Sequence, residues 1–137
     1  INDFPEIAAK LNCDGCHIGQ KDLSIQQTKQ IMKSNKIIGV TCHNSKELAL
    51  SAEKYGASYL AFGSFFKTKT KKTKFKANPK LLQWAHKNLK TPVVAIGGIN
   101  EENYKLLLQN GAKYIACSSY IWRNSKYNPL KALNQLK

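Results

Sequence analysis

Five short apolar runs recur along the chain, and each ends in small or polar residues. They cover residues 16–19, 37–41, 59–63, 93–98 and 114–118. Each run has the length and flanking residues of a buried strand in a parallel sheet. Ile1 is typical of the end of a further strand. The pattern therefore predicts six strands.

Amphipathic stretches with helical periodicity separate these runs, at residues 4–11, 24–32, 45–55, 79–89, 101–110 and 129–136. The alternation of strand and helix requires a parallel sheet with crossover helices. Residues 56–61 and 111–116 repeat one pattern, in which a helix-ending glycine leads into a strand. We therefore expect an α/β fold, namely a portion of a TIM (β/α)8 barrel with about six βα units.

Small residues follow two of the predicted strands. Gly97 and Gly98 end one strand, and Ser118 and Ser119 end the next. The carboxyl ends of parallel strands meet at one edge, where backbone N–H groups and hydroxyls suit a phosphate. A tight strand-to-helix turn explains the glycines equally well, so both interpretations stay open at this point.

The connection at residues 64–76 is long and polar, and long loops at the carboxyl edge of such folds carry chemistry. Thr68, Thr70 and Lys71 would direct two hydroxyls and an ammonium group at an anion. The alternative is a solvated lysine-rich loop.

Composition limits the remaining possibilities. The chain has 137 residues, 22 basic and 8 acidic, for a net charge of +14. Such a charge attracts polyanions, but the excess is mostly lysine without a basic-aromatic patch, so nucleic acid is not the expected partner. No apolar stretch is long enough to cross a membrane, which favours a cytoplasmic protein. The four cysteines lie in or beside apolar runs, and we expect reduced, buried thiols.

Six motifs together resemble the thiamine-phosphate synthase family of TIM-barrel transferases. They are Asn2-Asp3, residues 14–22, Ile38-Gly39-Val40-Thr41 with His43, Phe62-Gly63 leading to 68–71, residues 94–99, and Gly111-Ala112 leading to Ser118-Ser119. The resemblance implies that residues 1–137 are a single partial domain, the third to eighth βα units, with two units lacking on the N-terminal side.

The resemblance also implies a reaction and its residues. Hydroxymethylpyrimidine diphosphate would lose pyrophosphate and be captured by a thiazole phosphate, giving thiamine phosphate. Asp3 and Asp22 would bind Mg²⁺, the implied cofactor. The catalytic residues would be Lys71 and Thr41, and the substrate-binding residues Asn2, Thr41, Thr68, Lys69, Thr70, Lys71, Gly98, Ser118 and Ser119. The partners would be these small molecules, with a homo-oligomer possible.

Several alternatives stay open. Asp3 and Asp22 could instead cap the helices that follow them. A thiazole tautomerase of the same family would use His43 as its acid and base, and a basic nucleic-acid-binding module is a third possibility. His17 is typical of a satisfied core histidine, and Trp122 of a packing residue.

Phe4 and Lys67 depart from the family pattern, which often has Arg and Pro at these positions. The cluster that would grip the pyrimidine diphosphate on the family's second strand is absent. We therefore expect the isolated chain to be inactive.

Overall fold

A computed structural model describes residues 1–33, 35–68 and 74–137. Its strands are β1 (Gly15–Ile18), β2 (Ile37–His43), β3 (Tyr59–Phe62), β4 (Val93–Ile96) and β5 (Tyr114–Ala116). Its helices are α1 (Pro5–Lys10), α2 (Ile25–Met32), α3 (Lys46–Lys54), α4 (Pro79–Asn88), α5 (Tyr104–Gln109), α6 (Ser119–Trp122) and α7 (Pro129–Asn134). None of the helices within these ranges is long and apolar enough to span a bilayer.

The five strands form one parallel sheet in the order β1-β2-β3-β4-β5. This confirms the predicted α/β fold with a parallel sheet. At the strand end predicted at Ile1, a parallel bridge joins Asn2 to His17 of β1. Asp3 then turns the chain away from β1 with a φ of +64°.

One face of the sheet and the inner faces of the helices form the core. The register aligns Ile18 with Val40 and Val40 with Leu60, and all three side chains are buried. Buried helix residues such as Leu82 and Leu107 belong to the same cluster. Since adjacent strand residues point to opposite faces, the alternate residues His17, Thr41 and Tyr59 share the other face.

The prediction of reduced, buried thiols is confirmed in full for two of the four cysteines. All four cysteines are free; Cys16 and Cys42 are buried, whereas Cys13 and Cys117 are half-buried. The prediction that Trp122 packs is wrong, because this side chain is 73% exposed. It lies on α6, a four-residue helix that the sequence pattern did not predict.

Candidate active site

The candidate site lies at the carboxyl edge of the sheet. Because all five strands run in one direction, the residues that follow them gather at this edge.

Two carboxylates lie at the β1 end of this edge. The backbone N–H of Asp3 donates to His17 O at 2.8 Å, and that of His17 donates to Ile1 O at 2.9 Å. The Gly19 N–H donates to Asp22 Oδ2 at 2.7 Å, which folds this carboxylate back onto the end of β1. Asp3 and Asp22 therefore follow neighbouring segments of backbone.

The charges of both carboxylates affect the pKa of the Cys16 thiol. Burial is the main reason why the pKa of the Cys16 thiol is raised, and the negative charges of Asp3 and Asp22 raise it further. A hydrogen bond with the Phe4 backbone acts in the opposite direction. The two carboxylates therefore shift the pKa of Cys16 in the same direction.

The capping alternative for these carboxylates is wrong. The N-cap of α2 is Ser24, which forms a reciprocal capping box with Gln27. Phe4 occupies the N-cap of α1, so Asp3 lies one residue ahead of the capping position. Neither helix is capped by the aspartate that precedes it, so helix capping does not explain either carboxylate.

Thr41 is fixed through both its backbone and its side chain. Its Oγ1 lies 2.7 Å from His17 Nε2, and the Gln20 side-chain amide donates to its carbonyl. His17 is half-buried rather than a core residue, but its ring nitrogens are satisfied, the second by Tyr59 Oη at 2.9 Å. Sequence reasoning missed the contributions of Gln20 and Tyr59.

The glycine turn after β4 supports the loop after β3. Gly97 and Gly98 have φ angles of +94° and +69°, which favour glycine. A Cβ on Gly98 would lie 2.5 Å from Lys67 O, and Phe66 N–H donates to Gly97 O at 3.1 Å. The close approach of the loop at Ser64–Lys67 therefore requires glycine here, which favours a packed turn without excluding an anion.

Ser118 and Ser119 follow β5 beside this turn. The register pairs Ile96 with Ala116, so Gly98 and Ser118 stand two residues beyond a matched pair. Ser118 is exposed and Ser119 half-buried. The sheet thus brings the predicted glycine and serine segments to neighbouring strand ends.

The structure reaches only part of the predicted threonine-lysine run. Thr68 is described and half-buried, whereas Lys69, Thr70 and Lys71 lie outside the described residues.

His43 lies where β2 ends. Its φ is +52°, and its ring stacks on Phe75 with centroids 4.0 Å apart. Burial lowers the pKa of His43, so its imidazole is neutral at neutral pH. His43 therefore packs against Phe75 through this ring contact. Phe75 lies near the C-terminal end of the long connection at residues 64–76.

The described residues contain no group of three or more His, Cys, Asp or Glu side chains that could hold a metal ion.

The fold and this edge define a parallel α/β protein whose candidate site lies where its strands end. The family model of thiamine monophosphate synthase matches residues 1–121. The chain belongs to that family.

Relatives and solved structures agree with this assignment. The chain is 55% identical over its whole length to the thiamine-phosphate synthase of Pelagibacter ubique, of which it covers 66%. It is 43% identical to that of Rhodospirillum centenum, with 90% of this chain and 60% of that one aligned. The thiamine phosphate pyrophosphorylase structure from Pyrococcus furiosus matches with a TM-score of 0.86 at 35% identity, covering 98% of this chain and 63% of that one. The chain thus spans less than two thirds of the length of each of these three relatives.

Proposed function

We propose that this chain carries a large part of the active site of a thiamine-phosphate synthase. This transferase would join hydroxymethylpyrimidine diphosphate to thiazole phosphate and release pyrophosphate. The observation that carries the proposal is the convergence of motifs distant in sequence, from Asp3 to Ser118, at one edge of the sheet in a chain of this family. We expect the enzyme to work in the cytoplasm.

The donor set of Asp3 and Asp22 fits a magnesium ion. Both offer hard carboxylate oxygens, and Mg²⁺ is commonly held by one or two carboxylates together with water and substrate phosphates. The bond from Gly19 N–H to Asp22 Oδ2 orients that carboxylate at the strand end. When bound, the ion would supply positive charge to the leaving pyrophosphate.

The side chains at this edge would bind and orient the two substrates. Thr41, whose hydroxyl is held by His17, would contact the pyrimidine together with Asn2. The Gly98 backbone and the hydroxyls of Ser118 and Ser119 would bind the thiazole phosphate. Lys71 would neutralise the diphosphate, with Thr68, Lys69 and Thr70 lining the phosphate site.

This chemistry requires positioning and charge neutralisation more than proton transfer. The attacking ring nitrogen has a free lone pair, so no general base has to activate it. An electron-rich aminopyrimidine stabilises the cation that remains when pyrophosphate leaves. Holding the nucleophile near that carbon and stabilising the leaving group would then provide most of the rate enhancement.

The test compares the isolated chain with a hybrid protein. The hybrid places this chain at its matching positions in the Pelagibacter ubique relative, whose remaining residues complete the protein. We expect the hybrid to form thiamine phosphate and to release pyrophosphate only with Mg²⁺, and the isolated chain to form none. A hybrid that releases no pyrophosphate but converts thiazole tautomers would overturn the proposal in favour of the tautomerase.

Matched substitutions locate the magnesium site within the hybrid. Asp22→Asn removes one charge at the carboxyl edge, whereas Asp14→Asn makes the same change just before β1, at the opposite end of that strand. We expect the first to raise the Mg²⁺ concentration needed for half-maximal activity by roughly tenfold or more, and the second to leave it unchanged. If the two substitutions have equal effects, Asp22 is not part of the magnesium site.

A further inference from the structure

Three side chains on three adjacent strands form a continuous hydrogen-bonded series. Tyr59 Oη on β3 lies 2.9 Å from His17 Nδ1 on β1, and His17 Nε2 lies 2.7 Å from Thr41 Oγ1 on β2. The rings of His17 and Tyr59 are stacked, with centroids 5.5 Å apart and an interplanar angle of 24°. The orientation of the Thr41 hydroxyl therefore depends, through His17, on the phenol of Tyr59.

Gly39 is the reason why Tyr59 reaches His17 across β2. The register aligns His17 with Gly39 and Gly39 with Tyr59. A Cβ on Gly39 would lie only 1.9 Å from Tyr59 Cζ and 2.3 Å from Tyr59 Oη. Any side chain at residue 39 would force the Tyr59 ring aside, so glycine at this position permits the contact.

The number of protons limits the hydrogen bonds of this series to two directions. Burial raises the pKa of Tyr59, so its phenol is protonated at neutral pH and has one proton to donate. A neutral imidazole has one donor and one acceptor nitrogen. If Tyr59 donates to Nδ1, then Nε2 carries the proton of His17 and donates to Thr41 Oγ1.

The opposite arrangement would leave a half-buried phenol proton without His17 as its acceptor. It would also use the Thr41 proton to reach Nε2, and Thr41 could then only accept a bond from a ligand. Each arrangement leaves one hydroxyl proton outside the series, that of Thr41 in the first and that of Tyr59 in the second. The first arrangement is the one in which Thr41 can donate to a ligand. Gln20, which donates to Thr41 O, fixes the backbone at the same residue.

We propose that Tyr59 is a positioning residue that holds His17 with Nδ1 as acceptor, so that the Thr41 hydroxyl proton is presented to a ring-nitrogen acceptor of the pyrimidine substrate. This inference rests on the proposed function for its substrate. Its assignment of the His17 tautomer does not, because that concerns this chain alone.

The first test is nitrogen NMR of the His17 ring in this chain, at a pH where imidazole is neutral. We expect Nε2 to show the chemical shift of a protonated nitrogen and Nδ1 that of a hydrogen-bonded acceptor. Tyr59→Phe, which keeps the stacked ring, should move the Nδ1 signal, whereas Tyr55→Phe on the exposed end of α3 should not. A protonated Nδ1 in the unsubstituted chain would overturn the proposal.

The second test measures Michaelis constants in the hybrid protein described above. Tyr59→Phe should raise KM for the pyrimidine diphosphate by roughly three- to tenfold, the effect of weakening one hydrogen bond. KM for the thiazole phosphate should not change, and Tyr55→Phe should alter neither. Equal changes for both substrates, or no change for either, would refute the role of Tyr59 in substrate recognition. An unsubstituted hybrid without activity would refute the proposed function, and the NMR result would still decide the tautomer.

Discussion

Replacing Gly98 with alanine tests whether the turn after β4 is built around a missing side chain. Two independent features oppose alanine there. The φ of +69° lies in the left-handed region, and the added Cβ would lie 2.5 Å from Lys67 O and 2.8 Å from Phe66 C. Both of these atoms belong to the backbone, so no rotation of a flexible side chain relieves the contact.

The size of the effect follows from these two features. An alanine in the left-handed region costs about 1–2 kcal/mol, and forcing extra volume into a packed position costs about 1–3 kcal/mol. Loss of glycine's freedom in the unfolded chain offsets roughly 0.4–1 kcal/mol. We therefore expect the free energy of unfolding to fall by about 2–4 kcal/mol.

Urea unfolding monitored by circular dichroism measures this change, with Gly19→Ala as the matched control. Gly19 has no left-handed φ, and its Cβ would meet only Asp22 Oδ2 at 3.2 Å, the end of a flexible side chain. We expect that control to change stability by less than about 1 kcal/mol. If both substitutions have the same effect within about 0.5 kcal/mol, the reasoning about the turn is refuted.

Two further predictions concern the frame of the site. Ser24→Ala should lower the free energy of unfolding by about 0.5–2 kcal/mol, because it removes the capping oxygen of α2; an unchanged urea midpoint would contradict this. Burial tends to raise the pKa of Glu53, but the bonds from Thr91 and Lys90 outweigh it and the net pKa is lowered. A lowered pKa stabilises the fold above the ordinary pKa of glutamate, and this contribution is lost as the pH falls through the folded-state value. Glu53→Gln should therefore destabilise the protein at pH 7 but make little difference in strong acid, as unfolding at several pH values will show.

Hydrophobic periodicity predicted most secondary-structure elements because each needs only local information. The run at 93–98 has the apolar residues of a buried strand, and β4 occupies Val93–Ile96. Ser45, the first residue of the predicted helix at 45–55, is of a type that favours the N-cap, and its side chain accepts from Leu48 N–H. Such features depend on residues a few positions apart, which a sequence displays directly.

Which of two neighbouring polar residues caps a helix is harder to predict from the sequence. Asp22 and Ser24 are both of a type that favours the N-cap, and both precede α2. The structure decides for Ser24 because Gln27 completes the reciprocal box, while Gly19 N–H holds the Asp22 carboxylate. The choice depends on the path of the turn after β1, which composition does not determine.

The sequence alone determined the order of the five strands and of every helix except α6, and the residues that follow each strand. Only the tertiary structure joined His17, Thr41 and Tyr59, which are 18 to 42 positions apart in the chain. Trp122 is a second example. Its apolar character predicted that it packs against other residues, whereas the structure shows it exposed. The physical reason is that periodicity records which face a residue occupies, whereas contacts across strands depend on register, and register is fixed only when the sheet forms.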